Sequence, residues 1–196
     1  MIFLEWIAAI ILFMHLPIPL YWYVLHPRMD FWRRHSQRSA YLTGLAFSYF
    51  PAIVCLIVFR RQIFRGDFPP TWQIIAGLAL IIFEAWIFHR VKQDLGGARL
   101  VGKTELSGGG EIAEQGIYAR IRHPRYTGSL LAICGACLVA GTRVAWILAA
   151  VWILLMRIAI AFEEREMRAR FGASYESYAR RVPRFFPRSF CAPSAV

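Results

Sequence analysis

Residues 124–162 read PRYTGSLLAICGACLVAGTRVAWILAAVWILLMRIAIAF, two apolar runs, 124–141 and 144–162, separated by Thr142-Arg143 alone. So short a break leaves room only for a tight turn, and the pair predicts an antiparallel helical hairpin. Its apolar length points to a bilayer, because crossing a ~30 Å hydrocarbon layer takes about 20 apolar residues. Residues 2–25, 41–59 and 72–88 carry the same signature. The composition agrees, with 58% hydrophobic and 15% aromatic residues and a mean hydropathy of +0.44, above the usual range for a water-soluble domain. The expected fold is an all-α integral membrane protein with about five transmembrane helices in one domain, 1–196. Residues 1–90 would form three scaffold helices, and 91–196 a loop, the hairpin and a tail. The run 124–141 is short for a crossing, at about 27 Å. The first run begins at Ile2 without a basic leader and is too long for the apolar core of a signal peptide, so its helix is expected to be retained. Pro17 and Pro19 should interrupt it, and His15 one turn earlier could satisfy a freed carbonyl or touch a substrate.

The net charge of +11 is unevenly spread. With five crossings, eighteen basic residues flank the side of the C-terminus, among them Arg28, Arg33, Arg99, Arg122 and Arg184, while Arg60, Arg61, Arg65 and Arg143 lie opposite. The positive-inside rule then puts the N-terminus outside and the tail, with the connection 91–122, in the cytosol of a cytoplasmic (inner) membrane. No nucleic-acid-binding motif accompanies these charges, so nucleic acid is excluded as a partner and membrane lipids with anionic headgroups are expected. Cys55, Cys134, Cys137 and Cys191 make no disulfide framework. Cys134-x-x-Cys137 has no neighbouring Cys or His to complete a metal site, so no metal is expected.

Immediately before the hairpin stands Gly116-Ile117-Tyr118-Ala119-Arg120-Ile121-Arg122-His123-Pro124-Arg125-Tyr126-Thr127-Gly128. Pro124 suits the first turn of a helix, which would place His123 and Tyr126 where free N–H groups and a positive helix end meet a polar ligand. Upstream, Gly96-Gly97, Gly102 and Gly108-Gly109-Gly110 mark a loop. Downstream, the second hairpin helix continues into Glu163-Glu164-Arg165-Glu166, then Phe171-Gly172, Tyr175 and Tyr178. Acids opposite a basic and aromatic loop outline a polar pocket on a membrane floor. The other reading is a solvated helix end. Glu84, an acid inside an apolar helix, should face the bundle interior, either in an ion pair near His89 and Arg90 or on a cavity wall where it would contact substrate.

These elements resemble the integral membrane methyltransferases typified by isoprenylcysteine carboxyl methyltransferase, with the phospholipid methyltransferases as relatives. The resemblance spans 95–187: Leu95-Gly96, Gly116-x-Tyr118-x-x-x-Arg122-His123-Pro124-x-Tyr126-x-Gly128, Glu163-Glu164, Phe171-Gly172-x-x-Tyr175-x-x-Tyr178 and Val182-Pro183. Membrane sterol reductases carry a similar His-Pro-x-Tyr-x-Gly element used with NADPH, but are longer. An NADPH-dependent membrane reductase and a non-enzymatic membrane scaffold are therefore the rival readings. The resemblance implies S-adenosyl-L-methionine as methyl donor, in a cytosolic pocket made by the loop and tail, and a lipophilic acceptor entering from the bilayer. It assigns Tyr118, His123, Pro124, Arg125, Tyr126 and Glu163 to the cofactor. Gly110, Glu111, Ile112 and Ala113 correspond to a strand-like segment against the cofactor, and Lys103 is carried over from the same loop.

A thiol or carboxylate acceptor needs no strong base, whereas an amine must lose a proton, for which His123 or Glu164 could serve as the catalytic group. The prenylcysteine enzymes have an Arg four residues before the first acid of the pair, and here that position is Ala159. Arg157 lies about 200° around the helix from Ala159, on the face of Glu164, so it could pair with Glu164 or contact substrate. The expected acceptor is accordingly a small or lipidic thiol or amine, or a lipid headgroup, in preference to a prenylcysteine carboxylate.

Overall fold

The computed structural model describes residues 2–64, 68–100 and 102–187, the side chain of Ile2 excepted, so Arg65, Arg188 and Cys191 lie outside the described residues. All regular structure among them is helical. Helices α1 (Ile2–His15), α2 (Ile18–Leu25), a 3₁₀ turn (His26–Arg28) and α3 (Met29–Arg34) follow one another as a broken rod. Then come α4 (Gln37–Val58), the short α5 (Arg60–Phe64) and α6 (Thr71–Leu95). The connection holds α7 (Gly97–Leu100), α8 (Lys103–Leu106) and a second 3₁₀ turn (Gly116–Ala119), before α9 (Pro124–Ala140), α10 (Arg143–Phe171) and α11 (Ala173–Arg181).

Among the described residues four stretches are long and apolar enough to cross a membrane: Phe3–Arg34, Gln37–Val58, Thr71–Leu95 and Arg143–Phe171. They turn large apolar side chains outward, Phe50 at 71% exposure, Ile82 at 70% and Leu154 at 62%, as lipid-facing surfaces do. The fifth apolar helix, α9, has 17 residues, about 26 Å, and is the most enclosed of the set. It packs against α6, α1 and α10. Its small residues explain how: a Cβ at Gly135 would stand 2.6 Å from the Gly77 carbonyl oxygen, and one at Gly77 would stand 2.7 Å from that of Gly135, so only a glycine pair lets the α6 and α9 backbones come this close.

The expected hairpin forms. Gly141 ends α9 in the left-handed conformation, and Thr142 caps α10, its hydroxyl accepting from the Ala145 N–H at 3.3 Å and donating to the Ile63 carbonyl at 2.7 Å. The expected interruption of the first helix also forms, with a different partner. Pro19 has no N–H for the His15 carbonyl, and the indole N–H of Trp152 takes that acceptor at 2.9 Å, leaving the His15 ring free of this duty. Two helices outrun their apolar segments: α6 continues past 88 to Leu95 and α10 past 162 to Phe171, because charged residues outside the bilayer stay helical. The α10 extension brings the acidic run up against the loop and α3, where Arg33 donates to Glu166 at 2.6 Å and to the Glu105 carbonyl at 2.9 Å.

Candidate functional site

The tail returns to the start of α9. The N–H groups of Arg122 and His123 donate to the carbonyls of Pro183 and Arg184 at 2.8 and 3.0 Å, and the Phe185 ring leans on His123. Beneath this clasp Tyr175, Tyr178 and Val182 form a small core with Ile112, Met167 and Phe171, and the Tyr178 hydroxyl donates to the Tyr118 carbonyl at 2.8 Å. The loop is pinned from the other side by Asp94, which accepts from the Ile117 N–H at 2.7 Å. Gly116 permits this with φ +58, and a Cβ there would overlap the Asp94 carboxylate.

These elements surround a polar cavity of about 100 Å³, whose lining includes Trp22, His26, Arg99, Glu105, Ile112, Ala113, Tyr118, Arg122, His123, Arg125, Tyr126, Glu163, Glu166 and Tyr175. The Tyr126 hydroxyl donates to Glu163 at 2.6 Å, and the His123 ring stacks on Tyr126 with its Nδ1 3.9 Å from Glu163. Burial pushes the hydroxyls of Tyr118 and Tyr178 above the ordinary tyrosine range and that of Tyr175 up to about 12, so all three stay neutral near pH 7. Burial likewise raises the Glu105 carboxyl, against the pull of Arg99. Several buried polar atoms of the lining have no hydrogen-bond partner among the described residues: both ring nitrogens of His26, the indole nitrogen of Trp22, Arg99 Nε, Glu105 Oε2, Arg122 Nε and Glu166 Oε2. Buried polar groups are costly to leave unmade, so this concentration is suited to receive polar atoms, whether of water or of a ligand.

A second chamber of about 630 Å³ opens among α1, α2, α4, α6 and α9, with Ile11, Met14, Ile18, Leu45, Ile87 and Phe88 on its walls and Glu84 and His15 among its polar groups. Trp22 and Arg125 line both spaces. The Arg125 guanidinium sits over the Trp22 ring at 5.9 Å and donates to the Leu100 carbonyl, which fixes the partition between them.

Most of the motif residues converge as the sequence leads one to expect. Tyr118, His123, Arg125, Tyr126 and Glu163 line the polar cavity with Ile112 and Ala113, while Pro124 opens α9 behind them. Gly110 and Glu111 stand outside the lining, though the Glu111 carbonyl accepts from Arg99 at 2.6 Å. Lys103 is exposed and outside it as well. Glu164 departs from the role of a base. It is 1% exposed, receives Arg122 at 3.0 Å, His123 at 3.2 Å, Arg168 at 3.4 Å and Arg184 at 2.7 Å, and does not line the cavity. A carboxylate so saturated is a fastener for loop and tail. Arg157 points away on the exposed face of α10 and makes no pair with Glu164, whose four partners come from the loop, the last turns of α10 and the tail. Glu84 forms no pair with His89 or Arg90, which are exposed; it faces the second chamber. Trp22, His26 and Glu105 were not singled out by the sequence, while Glu166 entered only as the last acid of the run that begins at Glu163. A histidine just before Pro27 at the end of an apolar run was the signal available for His26.

Residues 72–174 match the family model described as phospholipid methyltransferase. The chain is also 29% identical over 170 residues to the protein named Methanethiol S-methyltransferase 2 of Bradyrhizobium diazoefficiens, an alignment that covers 79% of this chain and 61% of that relative. No solved structure matches the chain.

Proposed function

The chain belongs to the phospholipid methyltransferase family, and on that premise we propose that it is an integral membrane enzyme transferring a methyl group from S-adenosyl-L-methionine to a lipophilic acceptor that enters from the bilayer. The observation that carries this reading is the shared wall: a cavity lined with unpartnered polar atoms meets an apolar, membrane-side chamber across Trp22 and Arg125. A donor that is zwitterionic and heterocyclic suits the first space, and a greasy acceptor the second.

The residues present fit such a donor. Glu163, Glu105 and Glu166 offer carboxylate oxygens to an ammonium group and to ribose hydroxyls, while Arg99 and Arg125 offer guanidinium N–H groups to a carboxylate. Tyr118, Tyr126 and Trp22 provide aromatic faces for a sulfonium. When bound, the donor supplies a methyl carbon activated by positive sulfur. Transfer would be an in-line displacement, an acceptor lone pair forming the new bond to methyl as the carbon–sulfur bond breaks to leave a neutral thioether, with the acceptor's proton passing to solvent or a nearby base. The protein's share is to align the two partners across the Trp22–Arg125 window and to exclude water. His123, held between Glu163 and Glu164, positions Glu163 and the start of α9. At about 100 Å³ the polar cavity falls short of the ~300 Å³ of small-molecule sites, so its walls have to move apart when a ligand of that size binds.

The acceptor expected is a thiol, an amine or a lipid headgroup. The position that would carry a carboxylate-gripping Arg is the buried Ala159, and Arg157 faces outward. The similarity to a protein named as a thiol methyltransferase favours the thiol. C-terminal exposure to the cytosol follows from the distribution of basic residues. Isothermal calorimetry on the detergent-solubilised chain tests the reading: S-adenosylhomocysteine should bind and NADPH should not. Binding of NADPH alone would return the protein to the reductases, and binding of neither to a scaffold.

A further inference from the structure

The membrane-side chamber carries information about its occupant that the polar cavity does not. Its volume, about 630 Å³, is roughly twenty times the ~30 Å³ share of a water molecule, so an acceptor of two or three heavy atoms would leave most of it empty. The walls suit an alkyl chain. They also include two buried polar atoms without partners, His15 Nδ1 and the Tyr41 hydroxyl, with His15 only 8% exposed. No hydrogen bond or ion pair joins the Glu84 carboxyl to any described residue. Half-buried and facing the chamber, this acid in a membrane-spanning helix is placed to meet a ligand group there.

Glu84 and Arg125 locate that group. Glu84 Cγ lies 3.4 Å from where a Gly128 Cβ would stand, and Gly128 is three residues beyond Arg125 on α9, one turn along the same face. The head end of the chamber is thus bracketed by a carboxyl and a permanently charged guanidinium next to the Trp22 window. A cationic head is repelled by Arg125, and an anionic head by Glu84. A neutral head that both donates and accepts meets both groups, its hydrogen toward Glu84 and its lone pair toward Arg125, and among such heads a thiol gives up its proton most readily near pH 7, the thiolate so formed being the strong nucleophile.

We propose that this chamber is the acceptor site and that its occupant is a single-chain alkyl thiol, its S–H directed at Glu84 beside the Trp22–Arg125 window and its chain lying among Ile11, Met14, Leu45 and Phe88. The proposal rests on the methyltransferase reading and narrows its acceptor. Two measurements on the full chain in nanodiscs test it. In methyl transfer from labelled S-adenosyl-L-methionine, kcat/KM should rise along the series from ethanethiol to dodecanethiol, by up to about fourfold per methylene and at least about a hundredfold in all. In binding without turnover, Glu84→Leu should weaken retention of dodecanethiol about tenfold and leave that of dodecyl methyl sulfide, which lacks the S–H, within about twofold. Leu45→Trp, which shortens the chamber from the α4 side, should move the optimum to shorter chains. Methyl transfer with no chain-length preference, or with dodecylamine or laurate preferred, would overturn the acceptor assignment while leaving the methyltransferase reading intact. Chain-dependent binding of dodecanethiol without methylation of any acceptor would overturn the methyltransferase reading and the acceptor role with it, leaving only an alkyl-thiol binding site.

Discussion

Glu163 and Glu164 are neighbours in the chain, yet one carboxylate meets a phenol at the edge of an open cavity, while the other, turned about 100° around α10, is shut in by arginines and His123. Their substitutions should therefore fail in different ways. Glu163→Gln keeps the packing and loses a charged acceptor, so S-adenosylhomocysteine binding should weaken about ten- to hundredfold in calorimetry with little change in thermal stability. Glu164→Gln strips the charge from the buried Arg122 and His123 contacts and should cost about 3 kcal/mol of stability, partly relieved because Arg168 and Arg184 are 43% and 52% exposed and stay hydrated. A melting curve in which the two variants coincide would refute this division. His26→Ala belongs with the first class, since the ring's unpartnered nitrogens line the cavity, and it should weaken the same ligand without unfolding the bundle. Tyr118, His123, Arg125, Tyr126 and Glu163 were legible from the sequence because a contiguous motif and its acidic partner carry them. His26 and Glu105 were not, because what makes them part of the site is where α2 and α8 come to rest, and that is decided by packing between segments far apart in the chain.

Among the elements, the break between α1 and α2 shows how a membrane helix tolerates two prolines. The N–H that Pro19 lacks would have gone to the His15 carbonyl, and Trp152 of α10 supplies a replacement across 137 residues. In hydrocarbon that carbonyl has no water to turn to. Trp152→Phe should therefore cost about 1–3 kcal/mol of stability, and Pro19→Ala in the same chain should recover part of it by restoring the local donor. If the second substitution adds to the loss, the indole bond is not what compensates the break. The hairpin was readable because its two-residue gap admits one geometry, and the prolines announced the break. The partner of the freed carbonyl was not readable, since nothing local distinguishes Trp152 from the other apolar residues of α10. Equally hidden was the length of α10, because hydropathy reports where the bilayer ends and not where the helix does.

At the scale of the whole molecule, the polar connections sort to the two ends of the bundle. Arg33, Arg99, Arg122, Arg168, Arg170 and Arg184 meet the acids of the loop and of α10 at one end, whereas Thr142 and Ile63 join at the other. Contacts over such separations, 133 residues for Arg33 and Glu166, hold the tail and the 91–122 connection at one face regardless of which compartment that face sees. The compartment is a separate question, and from the excess of Lys and Arg at this end the positive-inside rule predicts the cytosol. Cys191, beyond the described residues but only a few positions past the clasp, reports on it. An impermeant thiol reagent should leave Cys191 unlabelled in intact cells and reach it after permeabilisation, while a Thr71→Cys variant, exposed at the start of α6 on the opposite end, should label in intact cells. The reverse pattern would turn the bundle over and place the polar cavity outside, where S-adenosyl-L-methionine made in the cytosol could not reach it, and the proposed reaction would fall with the orientation.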